Sequence, residues 1–364
     1  MPLSAINPDN YETLLQEKCS EVKALLCPYS PPAAEVFPSV TTGYRMRAEF
    51  RLWHEGDDIN YVMYRRDDPK TPVAIDHFPV ACDSIQALMP RLLDQIKANP
   101  ELRRKLFQVE FLSTLAGETL ITLVYHRKLD ELWETQARLL AEQLGLLIIG
   151  RSRKQKVIIE RDYVREELDI AGRTFRYRQY EQAFTQPNAR VNIKMIEWAL
   201  ECAKPLDGDL LELYCGNGNF TLPLAGEFEQ VIATELSKTS IRAARENLSE
   251  NEIANVEMIR LSAEEVTEAL TGKREFRRLA ELPKPLTDYQ LNTVFVDPPR
   301  AGLDEHTEQM VSRFDSIIYI SCNPVTLAKN LTTLSKTHEI TRFALFDQFP
   351  YTHHMECGVL LKKA

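Results

Sequence analysis

The chain has 364 residues, 44% of them hydrophobic and 27% charged, which fits a globular protein of two or three domains and excludes a disordered or collagen-like one. With 44 Lys+Arg against 53 Asp+Glu the net charge is −9, which argues against a bulk electrostatic hold on nucleic acid. The excess is uneven: residues 1–180 carry −1 and residues 181–364 carry −8, while the stretch 151–180 is locally +4, a patch able to hold a polyanion or simply a solvated face.

Asn10 to Leu26 reads as an amphipathic helix with Leu15, Val22 and Leu26 on one stripe. Pro28, Pro31, Pro32 and Pro38 then break the chain. Tyr44–His54 and Ile59–Tyr64 predict a hairpin over residues 44–66, turning at Glu-Gly-Asp-Asp. A helix over Asp83–Ala98, a second hairpin of Phe107–Thr114 and Thr119–His126, a helix over Asp130–Leu144 and an extended Leu146–Ile159 follow. Hairpins interleaved with helices predict an α+β domain on an antiparallel sheet. Its expected span is residues 1–180, with 1–36 a helical lead-in that can pack elsewhere.

After residue 185 apolar runs alternate with helical patterns: Leu210–Tyr214, Val231–Thr234, Val256–Ile259, Val294–Val296, Ile317–Ile320, Phe343–Phe346 and Cys357–Leu361. Seven strands with helices between most of them predict a doubly wound α/β sheet over residues 181–364, interrupted by a charged insertion at 271–290. The cysteines (Cys19, Cys27, Cys82, Cys202, Cys215, Cys322, Cys357) form no CxxC and no ladder. They therefore suggest reduced, cytoplasmic thiols and no zinc or iron–sulfur framework. No run is long enough to cross a bilayer.

LLELYCGNGNF (210–220) is a buried strand entering a Gly-rich turn and then a helix. Gly216 and Gly218 allow a tight turn and close approach of a ligand. Glu235 ends the next strand, at the spacing where an acid takes ribose hydroxyls. A dinucleotide fingerprint would want glycine at position 221, which is Thr221. A phosphate-free nucleoside, S-adenosylmethionine, fits the loop better.

VFVDPPRAGL (294–303) ends a strand at Asp297-Pro298-Pro299-Arg300, where ligands bind in such sheets. Asp297 there can face a cofactor amine. Cys322 in IYISCNP (318–324) tips the next strand. A free Cys at such a place is either a small core residue or a nucleophile beside the cofactor loop. In THHMEC (352–357), extended geometry would send His354 and Glu356 to one side and His353, Met355 and Cys357 to the other. The ligands then diverge, which argues against a metal. Glu356 is a candidate general base, or a partly buried acid at a strand start.

A thiol, a carboxylate and a methyl sulfonium together describe methylation of uracil at C5. Addition of Cys322 to C6 would make C5 nucleophilic, and Glu356 would remove the C5 proton before the thiol leaves. Arg300 would stabilise the enolate oxygen or hold a phosphate. For RNA, YRMRAEFRLWH interleaves Tyr44, Arg45, Arg47, Arg51 and Trp53. Along one strand Arg45, Arg47, Arg51 and Trp53 would share a face. Phe107, His126 and Phe184 are further candidates, and each has an ordinary packing alternative.

GYRMRAEFRLWH (43–54), FTQPN (184–188), LLELYCGNGNF, VFVDPPRAGL, YISCNP and DQFPYTHHMECGVLL (347–361) together resemble the bacterial tRNA (uracil-5-)-methyltransferases over essentially the whole chain. The resemblance implies a class I S-adenosylmethionine-dependent methyltransferase domain preceded by an RNA-binding domain. It implies Cys322 as nucleophile and Glu356 as base, and cofactor contacts at Gln186, Tyr214, Asn219, Glu235 and Asp297. The implied substrate is the T loop of tRNA, at position 54, and other RNAs of T-loop shape, with no obligate protein partner. The related ribosomal-RNA enzymes carry a cysteine-rich iron–sulfur site that this chain lacks. Alternatives are the same chemistry on ribosomal RNA, or a role chiefly in RNA binding and folding.

Overall fold

The computed structural model describes residues 6–56, 58–65 and 68–364. Asp57 of the expected Glu-Gly-Asp-Asp turn and Arg66 at the end of the expected hairpin lie outside the described residues. The chain forms two compact units that interleave in sequence. One holds Val40–Glu167 and Arg178–Ala189, the other Glu12–Ser39, Leu168–Tyr177 and Arg190–Ala364. No single boundary at residue 180 therefore separates them.

The first helix, α1 (Tyr11–Leu26), and a three-residue strand, β1 (Glu35–Phe37), belong to the second unit. Leu15, Val22 and Leu26 are buried as the stripe predicts. In the first unit, β2 (Arg47–Glu55), β3 (Asp58–Tyr64) and β4 (Pro72–Ile75) precede α2 (Asp83–Ala98) and α3 (Pro100–Arg103). Then come β5 (Leu106–Ser113), β6 (Thr119–Tyr125), α4 (Glu131–Leu144), β7 (Leu147–Ser152) and β8 (Gln155–Ile158). Asp130 caps α4 by accepting the Trp133 N–H at 3.0 Å, and Gly145 ends the helix with a left-handed φ of 67°.

These strands make one seven-stranded sheet in the order β4-β3-β2-β5-β6-β7-β8. It is not wholly antiparallel, because β6 and β7 run parallel. The α4 crossover between them is the connection that parallel neighbours require. The expected single extension over Leu146–Ile159 is a hairpin, β7–β8, that turns where Lys154 adopts φ 61°. Strands β9 (Tyr163–Ile170) and β10 (Arg173–Tyr180) form a separate two-stranded hairpin that the basic composition had hidden.

The second unit continues with α5 (Ala189–Ala203), β11 (Asp209–Leu213), α6 (Thr221–Leu224), β12 (Val231–Thr234), α7 (Lys238–Glu250), β13 (Val256–Ile259) and α8 (Ala263–Leu270). It closes with β14 (Leu291–Val296), α9 (Glu305–Val311), β15 (Ser316–Ser321), α10 (Pro324–Leu334), β16 (His338–Phe346) and β17 (Glu356–Lys363). All seven expected strands are present, and β1 adds an eighth beside β16. The order is β1-β16-β17-β15-β14-β11-β12-β13. Every residue of β11, β12 and β15 is buried, as strands covered on both faces demand. Only β17 runs against its neighbours, pairing antiparallel with both β15 and β16. That reversal brings its first residue to the sheet edge where the parallel strands end.

Candidate functional site

The carboxyl edge of the second unit's sheet collects the chemistry. Tyr214 follows the last residue of β11, Glu235 that of β12, Asp297 that of β14 and Cys322 that of β15. Glu356 is the first residue of the reversed β17. The β15–β17 ladder ends at the Ser321–Cys357 pair, and Cys322 and Glu356 are the next residue of each chain segment, near enough that the Glu356 charge raises the Cys322 thiol. The Glu356 side chain is buried, at 3% exposure, and Cys322 is half-buried. The strand alternation expected from His353 onward does not apply, because β17 begins only at Glu356.

Burial and like charge set the protonation of this edge. Burial raises the Glu356 carboxyl well above the usual range, and Asp297 adds to it. The Asp297 carboxyl is pushed up by burial to about 7. The Cys322 thiol is pushed up to about 11, first by burial, then by the charges of Glu356 and Asp297, against which Arg300 pulls down. A fourth acid, Glu212 on β11, is raised by burial to about 8. Its Oε2 is buried without a hydrogen-bond partner. No Lys or Arg among the described residues forms an ion pair with Asp297, Glu212 or Glu356, so the edge is short of positive charge.

Beside these acids, the loop after β11 turns through left-handed backbone at Tyr214, Gly216 and Gly218. A Cβ on Gly218 would lie 2.5 Å from Leu222 Cδ1, so only glycine fits. Above Gly216 nothing lies within 4 Å of such a carbon, which leaves that face open. The Gly216 N–H donates to Glu235 Oε2 at 3.1 Å. Glu235 Oε1 accepts from the Leu236 and Ser237 N–H groups at 2.7 Å each. These bonds fix the carboxylate beside the loop. The Asn219 amide is already paired reciprocally with Asn192 of α5, at 2.8 and 2.9 Å, and Tyr177 donates to its carbonyl at 3.1 Å. Its side chain thus holds the loop to α5. An unpartnered buried carboxylate oxygen, unpaired acids and an open glycine face fit a cationic nucleoside such as S-adenosylmethionine. Gln186 belongs to the other unit, where its Oε1 is buried without a hydrogen-bond partner.

Two asparagines that the motifs did not single out for roles hold the segment after Asp297. Asn323 Nδ2 donates to the Arg300 carbonyl at 3.1 Å while its Oδ1 caps α10, and the Arg300 side chain is exposed. Asn330, 1% exposed, accepts from the Leu303 N–H at 3.1 Å and the Tyr319 hydroxyl at 2.7 Å, and donates to the Leu303 carbonyl at 3.0 Å. The signal for Asn330 was present in the sequence, as a polar residue among the buried Leu327, Leu331 and Leu334 of α10.

In the first unit the candidate RNA residues divide. Tyr44 is buried at 4% exposure. Arg45 Nε donates to the Arg47 carbonyl at 2.7 Å, and burial lowers the Arg45 pKa. Arg47 itself donates to the Ala183 carbonyl at 2.8 Å and to the Glu181 carbonyl. Arg45 precedes β2 and makes isolated bridges to Ala81 and Asn188, so it does not share the strand face of Arg51 and Trp53. By contrast, Phe107 stacks on the exposed His126 with ring centroids 4.2 Å apart and 22° between planes. The Arg51 guanidinium lies 5.4 Å from the Phe107 ring centroid and 5.6 Å from that of Tyr64. Trp53 is 43% and Phe184 73% exposed.

Much of the basic stretch is internally neutralised. Arg151 and Lys156 converge on the buried Glu181, Lys156 also meets Asp162 at 2.7 Å, and Arg161 meets Glu118 at 2.7 Å. Net charge by segment therefore overstated the cationic surface.

A sequence profile of the tRNA (Uracil-5-)-methyltransferase family matches residues 10–364. A protein of Shewanella amazonensis named tRNA/tmRNA (uracil-C(5))-methyltransferase is 53% identical over 367 residues, covering 100% of both chains. Proteins of the same name from Vibrio parahaemolyticus and Acinetobacter baylyi are each 54% identical, over 98% and 97% of this chain and 98% of their own lengths. Among solved structures, the Pyrococcus abyssi tRNA (uracil-54, C5)-methyltransferase in complex with S-adenosyl-L-homocysteine superposes with a TM-score of 0.73 at 23% identity. That match covers 97% of this chain and 83% of the other, and it shows the shared fold.

Proposed function

The chain belongs to the tRNA (uracil-5-)-methyltransferase family, and from that premise we propose that it methylates C5 of the T-loop uridine at position 54 of tRNA, and of T-loop-shaped RNAs such as tmRNA, through a covalent Cys322 intermediate. The observation that carries this reading is the opposition of Cys322 and Glu356 across the end of the β15–β17 ladder.

The methyl donor, S-adenosylmethionine, supplies an electrophilic methyl group on a sulfonium that C5 can accept once activated. Asp297 and Glu212 are carboxyl groups whose ionised form its cationic portion would favour, and Glu235 is the acid proposed to hold the ribose diol. Cys322 adds as thiolate to uracil C6, and the electron pair of the C5–C6 bond moves to the enolate. Arg300, exposed and near enough for its charge to lower the Cys322 thiol pKa, is the residue proposed to meet the enolate oxygen or a neighbouring phosphate. C5 then bonds to the methyl carbon as the bond from that carbon to the sulfonium sulfur breaks, its electron pair staying on the departing thioether, and C5 becomes sp³ while keeping its hydrogen. Glu356 removes that proton, the C5–C6 double bond reforms, and the Cys322 sulfur leaves with its electron pair. Two residues thus act on the two ends of one bond, the thiol at C6 and the carboxylate at C5, from adjacent strands.

In the first unit, Arg51, Phe107, His126 and the exposed Phe184 are the surface proposed to grip an unstacked loop, through stacking and phosphate contact. Tyr44, Arg45 and Arg47 would act there only as its internal support. The direct test uses tRNA tritiated at uracil C5. Tritium release that requires both S-adenosylmethionine and Cys322 is expected, and full release by Cys322→Ala would discard the scheme.

A further inference from the structure

Lys18 lies on the apolar stripe of α1, between Leu15 and Val22, and is only 7% exposed. A lysine there is costly unless its ammonium is fully partnered. Its three donors all find acceptors: Asp347 Oδ1, the Phe349 carbonyl at 3.2 Å and the His354 carbonyl at 2.9 Å. Those acceptors bracket the connection from β16 to β17. Asp347 follows the last residue of β16, and His354 stands two residues before Glu356. Asp347 is 1% exposed, and its other carboxylate oxygen is buried without a partner. Its backbone N–H donates to the Phe37 carbonyl of β1 at 3.0 Å. A single buried cation from the first helix therefore pins both ends of the loop that delivers Glu356.

We infer that Lys18 is a positioning residue for Glu356, holding the 347–354 loop so that the carboxylate stands opposite Cys322. The inference rests on the covalent reading of the site, in which Glu356 acts only after methyl transfer. The ladder fixes Glu356 from its carboxyl side, through Cys357 and beyond. On its amino side the chain is a turn held by Thr352, which donates to the Phe349 carbonyl at 2.8 Å and accepts from the His354 N–H at 3.2 Å. The Lys18 ammonium ties that turn back to the end of β16. Without it, the amino side of Glu356 loses the charged tie that joins Asp347, Phe349 and His354, while the nucleophile, cofactor loop and RNA surface keep their own contacts. The defect then falls on proton removal from C5, so the enzyme should stall as a methylated covalent adduct. A merely structural role would lower the folded fraction without changing the balance between the two half-reactions.

The test compares Lys18→Met, Asp347→Asn and Glu356→Gln with the parent protein. Each is incubated with tRNA and methyl-labelled S-adenosylmethionine, quenched in denaturant, and read for turnover and for label in a protein–RNA adduct. For folded Lys18→Met we expect kcat to fall about tenfold or more, the KM for tRNA to change little, and the adduct fraction to rise several-fold. Asp347→Asn, nearly isosteric, should move both in the same direction by less, and it decides the matter if Lys18→Met does not fold. Glu356→Gln trapping adduct while neither other variant does would overturn the role of Lys18 alone. No adduct in Glu356→Gln would remove the covalent reading and this inference with it.

Discussion

Cys322 and Glu356 each stand one residue beyond the Ser321–Cys357 pair that ends the ladder of the antiparallel β15 and β17, near enough that the Glu356 charge raises the Cys322 thiol. The reversal of β17 is what lets a residue at a strand's beginning meet one at a strand's end. The same site carries an electrostatic cost: burial first, then the charges of Glu356 and Asp297, push the Cys322 thiol up to about 11, and burial with the Asp297 charge raises the Glu356 carboxyl. Positive charge, from a bound sulfonium and from Arg300, is what would shift both toward ionisation.

Asp297 makes this coupling between a bound cation and ionisation measurable. Burial pushes its carboxyl up to about 7. A cation binding beside it favours the ionised form and lowers the pKa, so protons leave on binding between the two values. Net proton release on binding S-adenosylmethionine at pH 6.5 is therefore expected. Affinity should weaken as pH falls through 7, because the neutral acid must first lose its proton. Calorimetry in buffers of differing ionisation enthalpy measures this, and Asp297→Asn should lose the Asp297 share of the release.

Asn330 bears on stability. It satisfies the Leu303 N–H, the Leu303 carbonyl and the Tyr319 hydroxyl at a site closed to water. Gly302, at φ 76°, packs so close that a Cβ there would come within 2.7 Å of the Asn330 Oδ1. Asn330→Ala should cost about 2–4 kcal/mol, the penalty for buried polar groups left unpaired. Chemical denaturation would read it, and the activity lost should exceed the unfolded fraction because the Asp297–Leu303 segment is freed.

On the RNA side, Phe107→Ala removes one ring of the Phe107–His126 stack and the surface under Arg51. Loss of a base-stacking ring weakens binding by roughly 1–3 kcal/mol, with little change in salt dependence. Arg51→Ala should weaken binding and reduce the salt slope by about one if it meets a phosphate. Arg45→Ala is expected to act on folding more than on the slope, since its guanidinium is turned inward. Salt titrations of tRNA binding separate the three.

The catalytic sheet was legible because its strands are continuous apolar runs ending in Gly, Pro or Cys at the edge that matters, as at Tyr214, Asp297 and Cys322. The first unit was less so. β4 and β1 are too short to show a period, and the β6–α4–β7 crossover looks locally like one more hairpin and helix. Strand alternation misplaced Arg45 because the chain leaves the ladder before Arg47. Charge counts could not reveal that Glu181 neutralises Arg151 and Lys156, since Glu181 is remote from Arg151 in sequence. Lys18 escaped for the same reason: its partners lie at the other end of the chain.

The pairing of a nucleophile for C6 with a base for C5 is tested most directly by the mass of the denatured product that Glu356→Gln forms with tRNA and S-adenosylmethionine. The expected product is a protein–RNA adduct carrying one added methyl group, attached at Cys322 and absent from Cys322→Ala/Glu356→Gln. Free methylated tRNA released at the parent rate, with no adduct, would contradict it.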